Sequence, residues 1–184
     1  GKKVKKSDAE SSAEVFDIKG NVLIPGIVDM KAFVGEPGYE YKENFRTLSQ
    51  AALAGGVTSI VTMPNTKPII DNVSMVDFII RRGRDKAKVN LFPCASITWQ
   101  TEGNQMTEFG LLKARGIIGF SDVNKTIQNT ELMSRIMNYA SDLDVLIMQH
   151  AEDYELSKNA CINTGEVATR LGLQGVSDIA EKII

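Results

Sequence analysis

Apolar positions along this chain alternate between short β-branched runs and stretches with helical spacing, the pattern of successive strand–helix units. Val22–Met30 is apolar and β-branched, and reads as a strand. Lys42–Ala54 then spaces Phe45, Leu48, Ala51 and Ala52 along one helix face, with Gly55-Gly56 as its stop. Thr58–Met63 reads as a short buried strand, Val73–Arg84 as a helix with Met75, Val76, Ile79 and Ile80 inward, and Val89–Ile97 as the next strand. Glu108–Ala114 forms a short helix ending at Gly116, and Ile117–Phe120 is a strand running into a loop at Ser121-Asp122. Asn129-Thr130-Glu131 opens a helix through Tyr139 whose Leu132, Ile136 and Met137 face inward. Val145–Gln149 is a further strand and Val176–Ile184 a final helix.

Strands alternating with helices of this length predict an α/β chain with a parallel sheet of about five strands. Such a sheet, left open, has unpaired edges at its first and fifth strands, which pairing or assembly into a homo-oligomer would cover. Composition agrees with a globular chain: of 184 residues, 43% are hydrophobic and 24% charged. A net charge of −2 argues against a nucleic-acid surface, and the basic start at Lys2, Lys3, Lys5 and Lys6 reads as a solvated terminus. Cys94 and Cys161 stand far apart without a CxxC partner, so they are expected to be buried free thiols rather than a disulfide or a cysteine zinc site. No apolar run is long enough to span a membrane and no signal-peptide pattern is present, from which a cytoplasmic location is expected.

Specific motifs carry a further resemblance. Pro25-Gly26-Ile27-Val28-Asp29-Met30, Glu36-Pro37-Gly38, Tyr41-Lys42-Glu43, Ala54-Gly55-Gly56 and Met63-Pro64-Asn65-Thr66-Lys67-Pro68 followed by Asp71-Asn72 occur in that order. Phe120-Ser121-Asp122, Gln149-His150-Ala151-Glu152-Asp153, Asn163-Thr164-Gly165-Glu166 and Leu171-Gly172-Leu173 continue it. In these residues the chain resembles the dihydroorotase family of the amidohydrolase superfamily. The resemblance implies part of a (β/α)8 TIM barrel over residues 22–184, with residues 1–21 as a remnant of a small N-terminal β-domain and its connection to the barrel. A complete barrel takes about 250 residues, so the chain is expected to be an incomplete barrel or a fragment of a longer protein.

The family's chemistry is hydrolysis of a cyclic amide, with zinc lowering the pKa of bound water and polarising the carbonyl. The resemblance implies two histidines on the first strand, an arginine that grips the substrate carboxylate, a bridging carboxylate or modified lysine on the fourth strand, histidines on the fifth and sixth, and an aspartate on the eighth. Lys31 and Phe33 stand at the first-strand positions and Gly35 at the arginine. A protonated lysine repels a dication and a phenyl ring has no lone pair to donate. Lys31 reads either as an ammonium in place of the metal or as a partly exposed residue at a barrel mouth, and Phe33 as a space filler. Asn65 matches an asparagine that helps to hold the carboxylate, although Pro-Asn-Thr-Lys-Pro is also a good loop sequence. Asp122 falls on the first aspartate of the fourth-strand loop and Val123 on the second, the expected bridging ligand. His150, the single histidine in the chain, falls on the fifth-strand ligand position as a vestigial ligand.

One imidazole does not hold a catalytic zinc, which takes three protein ligands. The expectation is therefore a dihydroorotase-like protein of pyrimidine biosynthesis without zinc-dependent hydrolysis, binding no cofactor in this segment and acting as a non-catalytic or scaffolding homologue. The family's precedent for such a role names aspartate transcarbamoylase as the partner. An active cyclic amidohydrolase with an altered metal site remains the alternative, and a small-molecule module in which Lys31 and Asn65 meet an anion is a third reading.

Overall fold

Five strands run parallel in chain order, β1 (Ile27–Ala32), β2 (Val57–Thr62), β3 (Asn90–Ala95), β4 (Gly119–Phe120) and β5 (Leu146–Ile147). Between them lie α1 (Phe45–Ala54), α2 (Val73–Lys86), α3 (Phe109–Ala114) and α4 (Thr130–Asp142). This is the expected α/β architecture, a parallel sheet making up part of a TIM barrel. The computed structural model describes Glu14 and residues 16–184, so the basic start and most of the expected connecting segment, 1–21, lie outside the described residues. Within that segment Lys19-Gly20 form a turn, with the Asn21 N–H donating to the Ile18 carbonyl at 2.9 Å.

Local chemistry sets the element boundaries. Asn44 caps α1 by accepting from the N–H groups of Arg46 and Thr47, while the Thr47 hydroxyl accepts from the Asn44 N–H. This reciprocal capping box satisfies donors that the first helical turn leaves free. Asn72 caps α2 through Met75 N–H and Asn129 caps α4 through Leu132 N–H. At the other end of α1 the chain leaves through Gly56 at φ +77°, and the Gly56 carbonyl accepts from Ile27 N–H, which starts the β1–β2 ladder. The strand expected over Val22–Met30 consequently begins at Ile27. Pro25 has no N–H to give the ladder, and Val22, Leu23 and Ile24 remain exposed.

The helices cover one face of the sheet. Phe45, Val76, Ile79, Ala95, Ile97, Phe109, Leu112, Phe120 and Ile136 form its principal core, with Phe109 and Phe120 stacked at 3.9 Å between ring centroids. Ile80 and Met137, expected to point inward, lie 40% and 49% exposed because each sits at the flank of its helix beside the buried Ile79 and Ile136. The opposite face, which would be the interior of a closed barrel, carries a smaller cluster of Val61, Met63, Cys94 and Val123 with Met148 packed on it. Phe92 and Leu146, two residues from Cys94 and Met148 on the same face, remain 40% and 47% exposed. Cys94 is buried as expected; Cys161, expected to be buried, is exposed.

The end of the chain departs from its apolar pattern. In place of one helix over Val176–Ile184 there is a second parallel pair, β6 (Ile162–Asn163) with β7 (Gly175–Val176), followed by α7 (Ile179–Lys182). The backbone N–H and hydroxyl of Thr164 both donate to the Val176 carbonyl, at 2.9 and 2.5 Å, and so draw Val176 into a ladder. Two further short helices, α5 (Tyr154–Ser157) and α6 (Glu166–Leu171), complete this region.

Candidate functional site

The exits of the five strands bring the motif residues to one end of the sheet, the end at which parallel barrels build their sites. At the exit of β1 the ladder with β2 is irregular: Asp29 pairs with Ile60 but Ala32 with Thr62, which fits an extra residue into β1. The Asp29 carboxylate accepts from the Lys31 N–H at 3.0 Å, satisfying a backbone group across this irregularity. Lys31 and Phe33 are exposed on either side of the buried Ala32. The ammonium lies 5.9 Å from the Phe33 ring centroid, and Phe33 is 45% exposed. Neither residue offers a lone pair that a metal would use at neutral pH.

Gly35 follows in the loop to α1, under the carbonyls of Tyr39 and Glu43. Asn65 lies exposed in the loop after β2, where its neighbours close a tight turn: Thr66 N–H and Ile70 N–H both donate to the Pro64 carbonyl. The Asn65 side chain makes no hydrogen bond among the described residues.

Asp122, at the exit of β4, is buried and turned toward β3. Its Oδ1 accepts from Ile97 N–H at 2.8 Å and Thr98 N–H at 3.0 Å, and its Oδ2 from the Thr98 hydroxyl at 2.5 Å. Burial raises its pKa above the usual carboxylate value against the opposing pull of these hydrogen bonds. The carboxylate thus ties two strand exits together. Val123, next to it, takes a left-handed backbone at φ +62°, a strained conformation for a β-branched residue. Its N–H donates to the Ser121 hydroxyl, and its side chain packs in the inner cluster with Val61, Met63 and Cys94.

His150 stands after β5, and its Nε2 lies 2.8 Å from Oε2 of Glu152. The hydrogen bond from His150 holds the Glu152 carboxyl below the usual carboxylate range. Thr126 fixes both residues from the β4 side, its hydroxyl lying within hydrogen-bond distance of the carbonyls of His150 and Glu152, either of which takes its one proton, and accepting from Glu152 N–H. An open groove of about 460 Å³, lined by Lys125, Thr126, Gln128 and Tyr154 among others, runs beside Glu152. The two-residue spacing His150-Ala151-Glu152 puts both side chains on one side where the chain is extended. Asp153 caps α5 by accepting from Leu156 N–H.

A catalytic zinc needs about three protein ligands with an open fourth position. Among the described residues no three His, Cys, Asp or Glu side chains come together to hold a metal ion. Lys31 and Phe33 occupy β1, Asp122 bonds β3, and His150 has Glu152 alone. The described residues by themselves therefore assemble no three-ligand zinc site.

Comparison with known proteins agrees with the motifs and the fold. The family pattern described as dihydro-orotase-like matches residues 20–183. The dihydroorotase of Syntrophus aciditrophicus is 44% identical over 170 residues, 92% of this chain and 40% of that protein. That of Pelobacter propionicus is 41% identical over 175 residues, 95% of this chain and 41% of its own length. The chain therefore spans about two fifths of the curated relatives it matches. Among solved structures, the L-hydantoinase (dihydropyrimidinase) from Arthrobacter aurescens superposes with a TM-score of 0.69 at 20% identity, covering 83% of this chain and 34% of the enzyme, a likeness of fold. With its motifs in family order and nearly its whole length matched, this chain belongs to the dihydro-orotase-like family.

Proposed function

We propose that this chain is a dihydroorotase-like component of cytoplasmic pyrimidine biosynthesis that has lost zinc-dependent ring hydrolysis and serves as a non-catalytic, scaffolding homologue. The observation that carries the proposal is the exit of β1, where an ammonium and a phenyl ring, Lys31 and Phe33, stand at the positions from which the family presents two imidazoles. The engagement of Asp122 with Ile97 and Thr98 supports it, because the one carboxylate kept at the fourth strand already serves the scaffold. Retention of the motifs that build loops and caps, without those that bind metal, suits a protein valued for its surface. The partner proposed is aspartate transcarbamoylase.

Metal analysis of the purified protein, together with assays for dihydroorotate hydrolysis and carbamoyl aspartate cyclisation, tests the first half. The expected result is less than one zinc per several chains and no turnover in either direction with added metal. Stoichiometric zinc with turnover overturns it in favour of an active enzyme with an altered site. Size-exclusion chromatography with the transcarbamoylase of the same organism tests the second half, with co-elution expected and separate elution refuting the scaffold.

A further inference from the structure

The segment between β1 and α1 is folded back on its own start. Tyr39 N–H donates to the Gly35 carbonyl at 2.6 Å, and a Cβ built on Gly35 would lie 2.2 Å from the Tyr39 carbonyl oxygen and 2.7 Å from that of Glu43. Both obstacles are backbone, which does not swing aside as the end of a flexible side chain does.

Several anchors hold this segment down. The buried Glu36 carboxylate accepts from Arg82 Nε at 2.5 Å on α2 and from Phe45 N–H at 3.2 Å at the start of α1. Lys67 N–H donates to the Pro37 carbonyl at 3.0 Å. Gly38, at φ +96°, lets the backbone pass so close to Lys67 that a Cβ there would meet the Lys67 carbonyl oxygen at 2.3 Å.

We infer that Gly35–Glu43 is a closed strap whose own backbone fills the side-chain position of residue 35, so that the mouth at β1 has no room for any group, cationic or otherwise, presented from there. The strap sets what this end of the sheet can bind: a carboxylate ligand finds no fork on this side, and only the strand residues Lys31 and Phe33 reach the mouth. Positions 31 and 33 tolerate other side chains, being exposed; position 35 does not. The inference deepens the proposed loss of hydrolysis and rests on it for the comparison of Gly35 with the family arginine, but the closure is measured without any assay of turnover.

Hydrogen exchange on the unaltered protein is the first test. The amides of Tyr39 and Lys67 should exchange at least about tenfold more slowly than freely exposed amides, and unprotected exchange at both overturns the closure. Thermal unfolding of variants is the second. The double variant K31H/F33H should unfold within about 2 °C of the parent, whereas G35A should lose about 5 °C or more. In an R82M background, where the strap has lost an anchor, the same G35A change should cost less than half as much, because a loosened strap gives way. A G35A protein as stable as the parent, or a G35A loss that is unchanged by R82M, refutes the strap. If zinc and turnover are found while these stability results hold, the proposed loss of function falls and the strap stands; the converse result separates them the other way.

Discussion

Replacing Asp122 tests whether its carboxylate serves the scaffold. In D122A the N–H groups of Ile97 and Thr98 and the Thr98 hydroxyl lose their acceptor inside the protein. A buried donor left without a partner costs about 1–3 kcal/mol, so three together, with some relaxation, should cost about 3–5 kcal/mol. At about 2–4 °C per kcal/mol for a chain of this size, the midpoint falls by roughly 6–20 °C. D122N keeps an acceptor for the two N–H groups and should lose only about 1–2 kcal/mol. A pH series adds a signed test. Because burial raises the folded-state pKa of Asp122 above its unfolded value, the folded protein holds the proton more tightly. The parent is thus stabilised relative to D122N as pH falls through the folded pKa, the gain being complete below the unfolded value, and loses that gain as pH rises again. Urea unfolding of both proteins between about pH 3 and pH 7 measures the gap. A D122A protein within about 1 kcal/mol of the parent refutes the structural reading of this carboxylate, whereas a gap that narrows on acidification shows that its hydrogen bonds outweigh its burial.

Further variants probe other parts of the same fold. Phe120→Ala removes one ring of the Phe109 stack at a fully buried site and should cost about 3–5 kcal/mol in urea unfolding, against under 1 kcal/mol for truncation of the exposed Leu111. Asn44→Ala deletes one half of the capping box and should cost about 1 kcal/mol, whereas Asn44→Ser should restore most of it. Glu152, held below the ordinary carboxylate range by His150, contributes stability that is present above its unfolded pKa and lost as pH falls through the lower folded value; His150→Ala should remove that acid-side loss, and an unchanged pH profile would count against the pair. Incubation with a chelator should leave the unfolding midpoint unchanged if no structural metal is bound, and a clear fall would contradict that reading.

The βα alternation was legible because α1 to α4 each showed apolar helical spacing, with Gly55-Gly56, Gly116 and Asn129 read as ends, whereas α5 and α6 were not anticipated and α1 begins at Phe45 rather than Lys42. Asn44, Gly55-Gly56, Asn72 and Asn129 all stand at real boundaries. Strand limits were less legible, since ladder pairing depends on the neighbour: β4 and β5 shrink to two residues each from Ile117–Phe120 and Val145–Gln149. Val176 shows the same effect most clearly, as Thr164, twelve positions earlier, turns the start of an apparent helix into a strand. At the site, Lys31, Phe33 and Gly35 were visible as departures from the motif that the resemblance implies. Their consequences were not, because the clash at Gly35 and the partners of Asp122 arise from segments distant in sequence.

The distribution of kept and altered motif residues has a physical pattern. Glu36 receives an arginine and a backbone N–H, Gly38 allows a close approach of backbone, Asn44 and Asn72 cap helices, and Asp122 joins two strands. Each satisfies a backbone or charged group that would otherwise lie unpaired or clash, so its loss costs stability whether or not any reaction takes place. The altered positions 31 and 33 have exposed side chains that hold no other part of the chain, and their replacement costs the fold little. Position 123 is the informative exception. A valine there bears an unfavourable left-handed backbone yet gains burial against Val61, Met63 and Cys94. A small polar residue would adopt that backbone more readily, so the valine has exchanged local backbone comfort for packing of the inner layer. That packing lies at the position where the resemblance implies a bridging carboxylate.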